Sequence, residues 1–192
     1  VKIVLASGRP TYGIVPLARQ LHLSEYDGYI LAYNGGKIVS CGSGATIFNQ
    51  ELSPELVPYL HDEAKRAGLQ ILTYQGDGIA ATRARDKYVL HEAFINKMPV
   101  VEYTDFKTQV EYPINKCLIV GDPKRLIPLE QSLASAYDGR LSVYRSAAFF
   151  LECVPPGIDK AASLSRLIEN LGIRREELIA VGDGDNDLSM LC

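Results

Sequence analysis

Tryptophan is absent from this sequence, histidine occurs three times, cysteine four times, and basic residues do not outnumber acidic ones. Each shortage removes a class of protein. Lys and Arg number 20 against 23 Asp and Glu, a net charge of −3, and no basic stripe is present to hold a phosphate backbone. Nucleic acid is therefore not expected as a partner. No apolar run reaches the roughly 18 residues of a membrane span, so no membrane association is expected. Residues 1–6 read as a strand that begins abruptly rather than as a secretory leader. Cys41, Cys117, Cys153 and Cys192 lie far apart and form no Cys-x-x-Cys pair. That spacing points to reduced, mostly buried thiols in a cytoplasmic protein, and away from zinc. His22, His61 and His91 stand in helical or irregular contexts, and no Ser-His-Asp, Cys-His or nucleophile-elbow pattern can be built around them.

Apolar residues make up 47% of the 192, an ordinary globular proportion over a length that suits one large or two small domains. Residues 1–6 should form a buried strand and 11–21 a helix, with Thr11 as its cap and Pro16 bending its first turn. A second apolar run at 29–33 stops at Asn34-Gly35-Gly36, a turn signal, and 37–39 with 46–48 alternate as a hairpin. Ser53-Pro54 opens a helix that runs to Ala67 and stops at Gly68. Strands come next at 69–74 and 78–82; 86–94 is left without an assignment and 96–108 reads as irregular. A strand at 116–120, a helix at 124–136 and a strand pair at 141–144 and 148–154 complete the middle of the chain. Helix 159–171 places Leu164, Leu167, Ile168 and Leu171 on one face, and 178–181 reads as a buried parallel strand. The expected architecture is α/β: a Rossmann-like parallel-sheet core of residues 1–51 and 153–192, interrupted by an α+β module at 52–152.

The chemistry concentrates at three joints. After the run 178–181 come Asp183, Asp185, Asn186 and Asp187, at the carboxyl end of a strand, where open α/β sheets hold their ligands. Three acids this close repel one another, and a hard divalent cation relieves them; Mg²⁺ suits a site with one or two protein carboxylates. A solvated Asp/Gly turn is the plainer reading of the same residues. An EF-hand is excluded, because its sixth position would be Leu188 and the chain stops before the twelfth. A dinucleotide fingerprint is excluded, because Asp187 occupies the place of its third glycine. Ser7 and Gly8 come directly after the first strand, where a hydroxyl and backbone N–H groups can meet an anion. Lys160 falls in the first turn of its helix, where a cation opposes the helix dipole by roughly 0.3–1 kcal/mol. An anion within reach would explain that placement; so would a lysine pointing into solvent. On the dipole argument, Lys160→Ala should abolish most turnover while leaving the fold intact or slightly more stable.

Leu5-Ala-Ser-Gly-Arg-Pro10, Ala32-Tyr-Asn-Gly35, Gly157-Ile-Asp-Lys160 and Gly182-Asp-Gly-Asp-Asn-Asp187 together resemble, in order, the motifs of haloacid-dehalogenase-like (HAD) phosphatases. Within these they are similar to the Cof-type branch, which includes the YidA-like sugar phosphatases and carries an α+β cap. The resemblance implies that Ser7 and Gly8 bind phosphate, that Lys160 steadies phosphate and nucleophile, and that Asn186 contacts substrate. Asp183 then corresponds to the Mg²⁺ ligand and Asp187 to an acid supporting the metal through water. The implied activity is Mg²⁺-dependent hydrolysis of small phosphorylated metabolites, sugar phosphates foremost, by a cytoplasmic protein for which a homodimer is compatible. Arg83, Arg85 and His91 are the cap residues offered for the organic part of the substrate. The family's first motif, an Asp-x-Asp strand carrying the attacking aspartate, has no counterpart here. It is expected upstream of Val1, so that the 192 residues alone should not turn over. A non-catalytic phosphate-ligand-binding protein on this fold, or a phosphomutase, would share the same features.

Overall fold

The computed structural model describes residues 1–184 and 187–191. The chain divides into two compact units, Val1–Gln50 with Gly157–Cys192, and Glu51–Pro156. In sequence, an α/β unit is interrupted by an α+β unit.

The first unit begins with β1 (Val4–Ala6), α1 (Thr11–Gln20), β2 (Tyr29–Ala32), β3 (Lys37–Ser40) and β4 (Thr46–Asn49), in a sheet of order β1-β2-β3-β4. Only β1 and β2 run parallel, in the register Ala6↔Leu31, and the others pair antiparallel. Alternation along β2 decides the layers. Ile30 and Ala32 pack with Ile14, Ala18 and Leu23, whereas Tyr29 and Leu31 pack with Leu164, Leu167 and Ile168. The two clusters cover opposite faces of the strand, which is why all four of its residues are buried. Pro10, not Thr11, occupies the cap of α1, and Pro16 is accommodated inside the helix.

The second unit continues with α2 (Leu56–Arg66), β5 (Gln70–Gln75), β6 (Gly78–Ala81), α3 (Lys87–Asn96), β7 (Val100–Glu102) and α4 (Phe106–Gln109). It ends with β8 (Cys117–Val120), α5 (Pro123–Ala136), β9 (Ser142–Ala147) and β10 (Phe150–Val154), giving a six-stranded sheet of order β7-β6-β5-β8-β10-β9. Leu56, Val57, Leu60 and Ala64 of α2, and Leu126, Leu129 and Leu133 of α5, pack over Ile71, Cys117, Ile119, Leu151 and Cys153. Cys117 stands opposite Cys153 in the β8–β10 ladder, and burial pushes the Cys117 thiol up to about 12, where it is inert. The unassigned stretch 86–94 falls in α3, whose Asp86 cap accepts from the N–H groups of Tyr88 and Val89 at 2.8 and 3.4 Å. The chain then returns to the first unit through α6 (Lys160–Asn170) and the short α7 (Leu188–Leu191).

The run 178–181 is not a strand. Leu178 has an extended backbone, but Ile179 and Val181 are 89% and 85% exposed, and β1 has only β2 beside it among the described residues. Apolar composition suits a buried strand, yet an extended segment becomes one only when a neighbour accepts and donates its backbone hydrogen bonds.

Beneath the second unit's sheet lies a buried ionic group. Lys116 Nζ donates to Glu152 Oε2 at 2.9 Å and Ser146 Oγ donates to Glu152 Oε1 at 2.7 Å, with Lys116 and Glu152 only 2% and 4% exposed. Removing one partner strands the other charge in a dry interior. Lys116→Ala should therefore lower unfolding free energy by about 3–5 kcal/mol, and Lys116→Met with Glu152→Leu should recover most of it. Urea titrations of the three proteins check both expectations.

Candidate active site

The two parallel strands end side by side, and the loops that leave them are hydrogen-bonded to each other. Ser7, directly after β1, donates its N–H to the carbonyl of Leu31 at 2.9 Å. The turn after β2 answers: Asn34 N–H donates to Ser7 O at 3.0 Å, and Tyr33 N–H to Arg9 O at 2.9 Å. To do this, Tyr33 and Asn34 take φ of 53° and 56°, two consecutive non-glycine residues in the left-handed region. Gly35 comes next at φ 99°, and a side chain there would overlap Ser163. The Ser7 hydroxyl oxygen accepts from Arg9 N–H at 3.2 Å, which curls the loop so that Ser7 and Gly8 lie half-buried at the carboxyl end of the pair. Burial pushes the Tyr33 phenol up to about 12, so this wall of the loop is neutral.

Lys160 opens α6 behind Asp159, whose Oδ1 caps the helix by accepting from Ala162 N–H at 2.8 Å. The lysine is 5% exposed and does not point to solvent. Its ammonium donates to Asp187 Oδ1 at 2.5 Å, while Asp187 Oδ2 accepts from the N–H groups of Asp183 and Gly184, each at 3.1 Å. One carboxylate thus fixes the cation and the loop that carries Asp183. The Lys160 donor, foremost, holds the Asp187 carboxyl below the usual carboxylate range, and the two loop N–H groups act in the same direction. The dipole argument, by which losing Lys160 would leave the fold intact or slightly more stable, did not include this buried ion pair, which acts in the opposite direction.

The structure therefore joins Lys160, Asp187 and Asp183 directly, and ties Ser7 and Gly8 to Asn34. Asn186 and Asp185 lie outside the described residues. Asp183 is exposed, with its carboxylate turned toward no cation among the described residues, and no group of three or more metal-ligating side chains converges among them. A Mg²⁺ that keeps most of its waters fits such a donor set through Asp183, since both oxygens of Asp187 are already engaged. In the sequence Asn34-Gly35 stands as a turn signal and as part of the Ala32–Gly35 motif; its backbone bond to Ser7 appears only in the fold, where the Asn34 side chain also lies close to Gly8. Of the cap candidates, the His91 ring packs edge-on against Phe149 at 5.4 Å. Arg83 lines a cavity of about 290 Å³ with Lys65, Gln70 and Thr82. Gln70 pairs with Val120, which also pairs with Phe150, so this cavity lies toward the end of the sheet away from Val154, where the chain leaves the unit.

Lys160→Ala and Asp187→Asn should each cost about 3–5 kcal/mol of stability, since each strands a buried charge or leaves its donors unanswered. The pair's contribution has a sign with pH. The Asp187 carboxyl titrates lower folded than unfolded, so the stabilisation is complete above the ordinary value of about 4 and is lost as pH falls through the folded value. Melting curves from pH 7 to pH 3 should show a wild-type decline below pH 4 that is shallower in Asp187→Asn.

A family model for haloacid dehalogenase-like hydrolases matches residues 1–192. A solved haloacid dehalogenase-like hydrolase from Bacteroides thetaiotaomicron is 52% identical with a TM-score of 0.95, covering 99% of this chain and 71% of its own. The HMP-PP phosphatase of Cronobacter sakazakii is 25% identical over 191 residues, all of this chain and 68% of that protein. A solved HAD subclass IIB sugar phosphatase has the same fold at a TM-score of 0.77 and 20% identity, over 100% of this chain and 70% of its own. Matched from its first residue to its last, with the lysine, the acid loop and the hydroxyl loop in one unit, this chain belongs to the haloacid dehalogenase-like hydrolase family.

Proposed function

We propose that the protein hydrolyses phosphomonoesters of small metabolites, sugar phosphates foremost, with Mg²⁺ as cofactor. The observation that carries this reading is the buried Lys160–Asp187 pair beside an exposed Asp183. An ammonium has three donors, and Asp187 takes one, so Lys160 retains N–H groups to offer an anion. Ser7 adds an O–H that donates to no described residue, and Gly8 follows it in the curled loop. A hydroxyl, a buried cation and a carboxylate able to carry a metal are what a phosphoryl group requires as charge builds on its oxygens. The chemistry Mg²⁺ would supply, held by Asp183, is neutralisation of that charge. The attacking carboxylate in this reading is that of the family's Asp-x-Asp motif, and the phosphoryl group passes through an aspartyl-phosphate to water. The second unit, in the same reading, is the cap that selects the organic part of the substrate. Sugar phosphatase and HMP-PP phosphatase activities among proteins of this fold support the substrate class.

The test is phosphate release by the full-length protein from a panel of phosphomonoesters, with and without Mg²⁺. Turnover should require the metal and should not require a sugar bisphosphate, which separates hydrolysis from a mutase reaction. Asp183→Asn should lower both Mg²⁺ affinity and turnover by about 10²-fold or more. Metal dependence in Asp183→Asn equal to that of the wild type would remove Asp183 from the site. A protein that binds these esters and releases no phosphate would be a sensor on this fold.

A further inference from the structure

The two halves of the site sit on segments about 150 residues apart in sequence, Ser7–Arg9 after β1 and Lys160 at the start of α6. Along most of its length α6 is held to the sheet by the apolar contacts of Leu164, Leu167 and Ile168 against Tyr29, Leu31 and Ile38, with the Arg166 guanidinium over the Phe48 ring at 4.0 Å. Such contacts fix the face of a helix better than its position along its axis, because dispersion and burial have little directionality. One directional bond stands near the reacting end. Ser163 Oγ donates to Gly35 O at 2.8 Å, and Ser163 is 1% exposed. Ser163 lies one helical turn from Lys160, hence on the same face. Gly35 belongs to the turn whose neighbours Tyr33 and Asn34 are bonded to Arg9 and Ser7.

We propose that Ser163 is a positioning residue: its bond to Gly35 sets the height of the Lys160 ammonium relative to the Ser7 loop. The turn is suited to act as the fixed reference. Two successive left-handed non-glycine residues cost of order 1–3 kcal/mol each and persist only where surrounding bonds determine them, as the bonds to Ser7 and Arg9 do. The glycine is required on both grounds, since φ 99° suits no other residue and a Cβ at that point would overlap Ser163. The chain of contacts runs from Lys160 through one turn of α6 to Ser163, to Gly35 O, and through Asn34 to Ser7 O. Ser163 touches no substrate on this account and acts through the two groups that do.

This inference rests on the phosphatase reading for its kinetic consequence only, so two measurements are paired. In the full-length protein, Ser163→Ala should lower kcat tenfold to a hundredfold with KM within twofold, because misplacing a charge that acts in the transition state costs turnover rather than ground-state binding. Ile168→Val, which loosens the same helix away from the clasp, should leave kcat unchanged. In the ligand-free protein, amide ¹H–¹⁵N shifts of residues 7–9 and of 160–163 should move together in Ser163→Ala and stay in place in Ile168→Val. Unchanged kcat in Ser163→Ala, loss of kcat in both variants alike, or loop shifts that ignore Ser163→Ala would overturn the proposal. If the wild-type protein releases no phosphate from any ester, the functional reading fails while the shift experiment still decides whether the clasp couples helix to loop.

Discussion

One buried carboxylate organises the first unit's reactive end. Asp187 neutralises Lys160 with one oxygen and gathers the Asp183 and Gly184 N–H groups with the other. Without it, a 5% exposed lysine would carry an uncompensated charge at the positive end of a helix dipole. With it, the same lysine is a pre-oriented cation whose remaining donors are already desolvated, which strengthens any interaction they make with an anion. The arrangement costs little stability when complete and much when half removed, the usual behaviour of buried ion pairs. A close neighbour completes the fit: a side chain at Gly182 would overlap Asp187, so the loop approaches its hub as nearly as glycine permits.

The second organising element is backbone rather than charge. The Tyr33–Gly35 turn takes left-handed conformations to place its N–H groups against Ser7 and Arg9, and its glycine carbonyl against Ser163. Sheet, turn and helix are thereby fixed at the carboxyl ends of the two parallel strands, the position at which α/β sheets hold ligands. The second unit solves a different problem. In its polar group both oxygens of Glu152 accept, from Lys116 and from Ser146, with the Lys116 ammonium also 5.2 Å from the Tyr74 ring, whose hydroxyl donates to Glu92. Paired in this way, buried charge specifies how strands and helix meet without remaining available for chemistry.

Much of this was legible in the sequence where periodicity carried it. The apolar run of β2, the apolar stripe of α6 and the glycine stop after α2 are local patterns with one structural solution. The helix at α3 was not legible, because Glu92 and Asn96 are buried with Val89 and erase the apolar stripe that marks a helix. Residues 178–181 misled for the opposite reason: their composition is that of a buried strand, and strand formation depends on a neighbour that composition does not encode. At the site, Lys160 could be singled out from its unfavourable place in the helix. Its burial could not, because that depends on Asp187, 27 residues further along, folding back onto it. Ser163 and Gly35 were invisible as a pair for the same reason, being 128 residues apart.

The central claim is that Ser7, Lys160 and Asp183 converge on one phosphoryl group. A crystal structure of the full-length protein with Mg²⁺ and orthovanadate tests it most directly. The expected result is vanadate oxygens accepting from the Ser7 hydroxyl, the Gly8 N–H and the Lys160 ammonium, with the metal on the Asp183 carboxylate. Vanadate bound without contact to Lys160, or a metal bound away from Asp183, would contradict it.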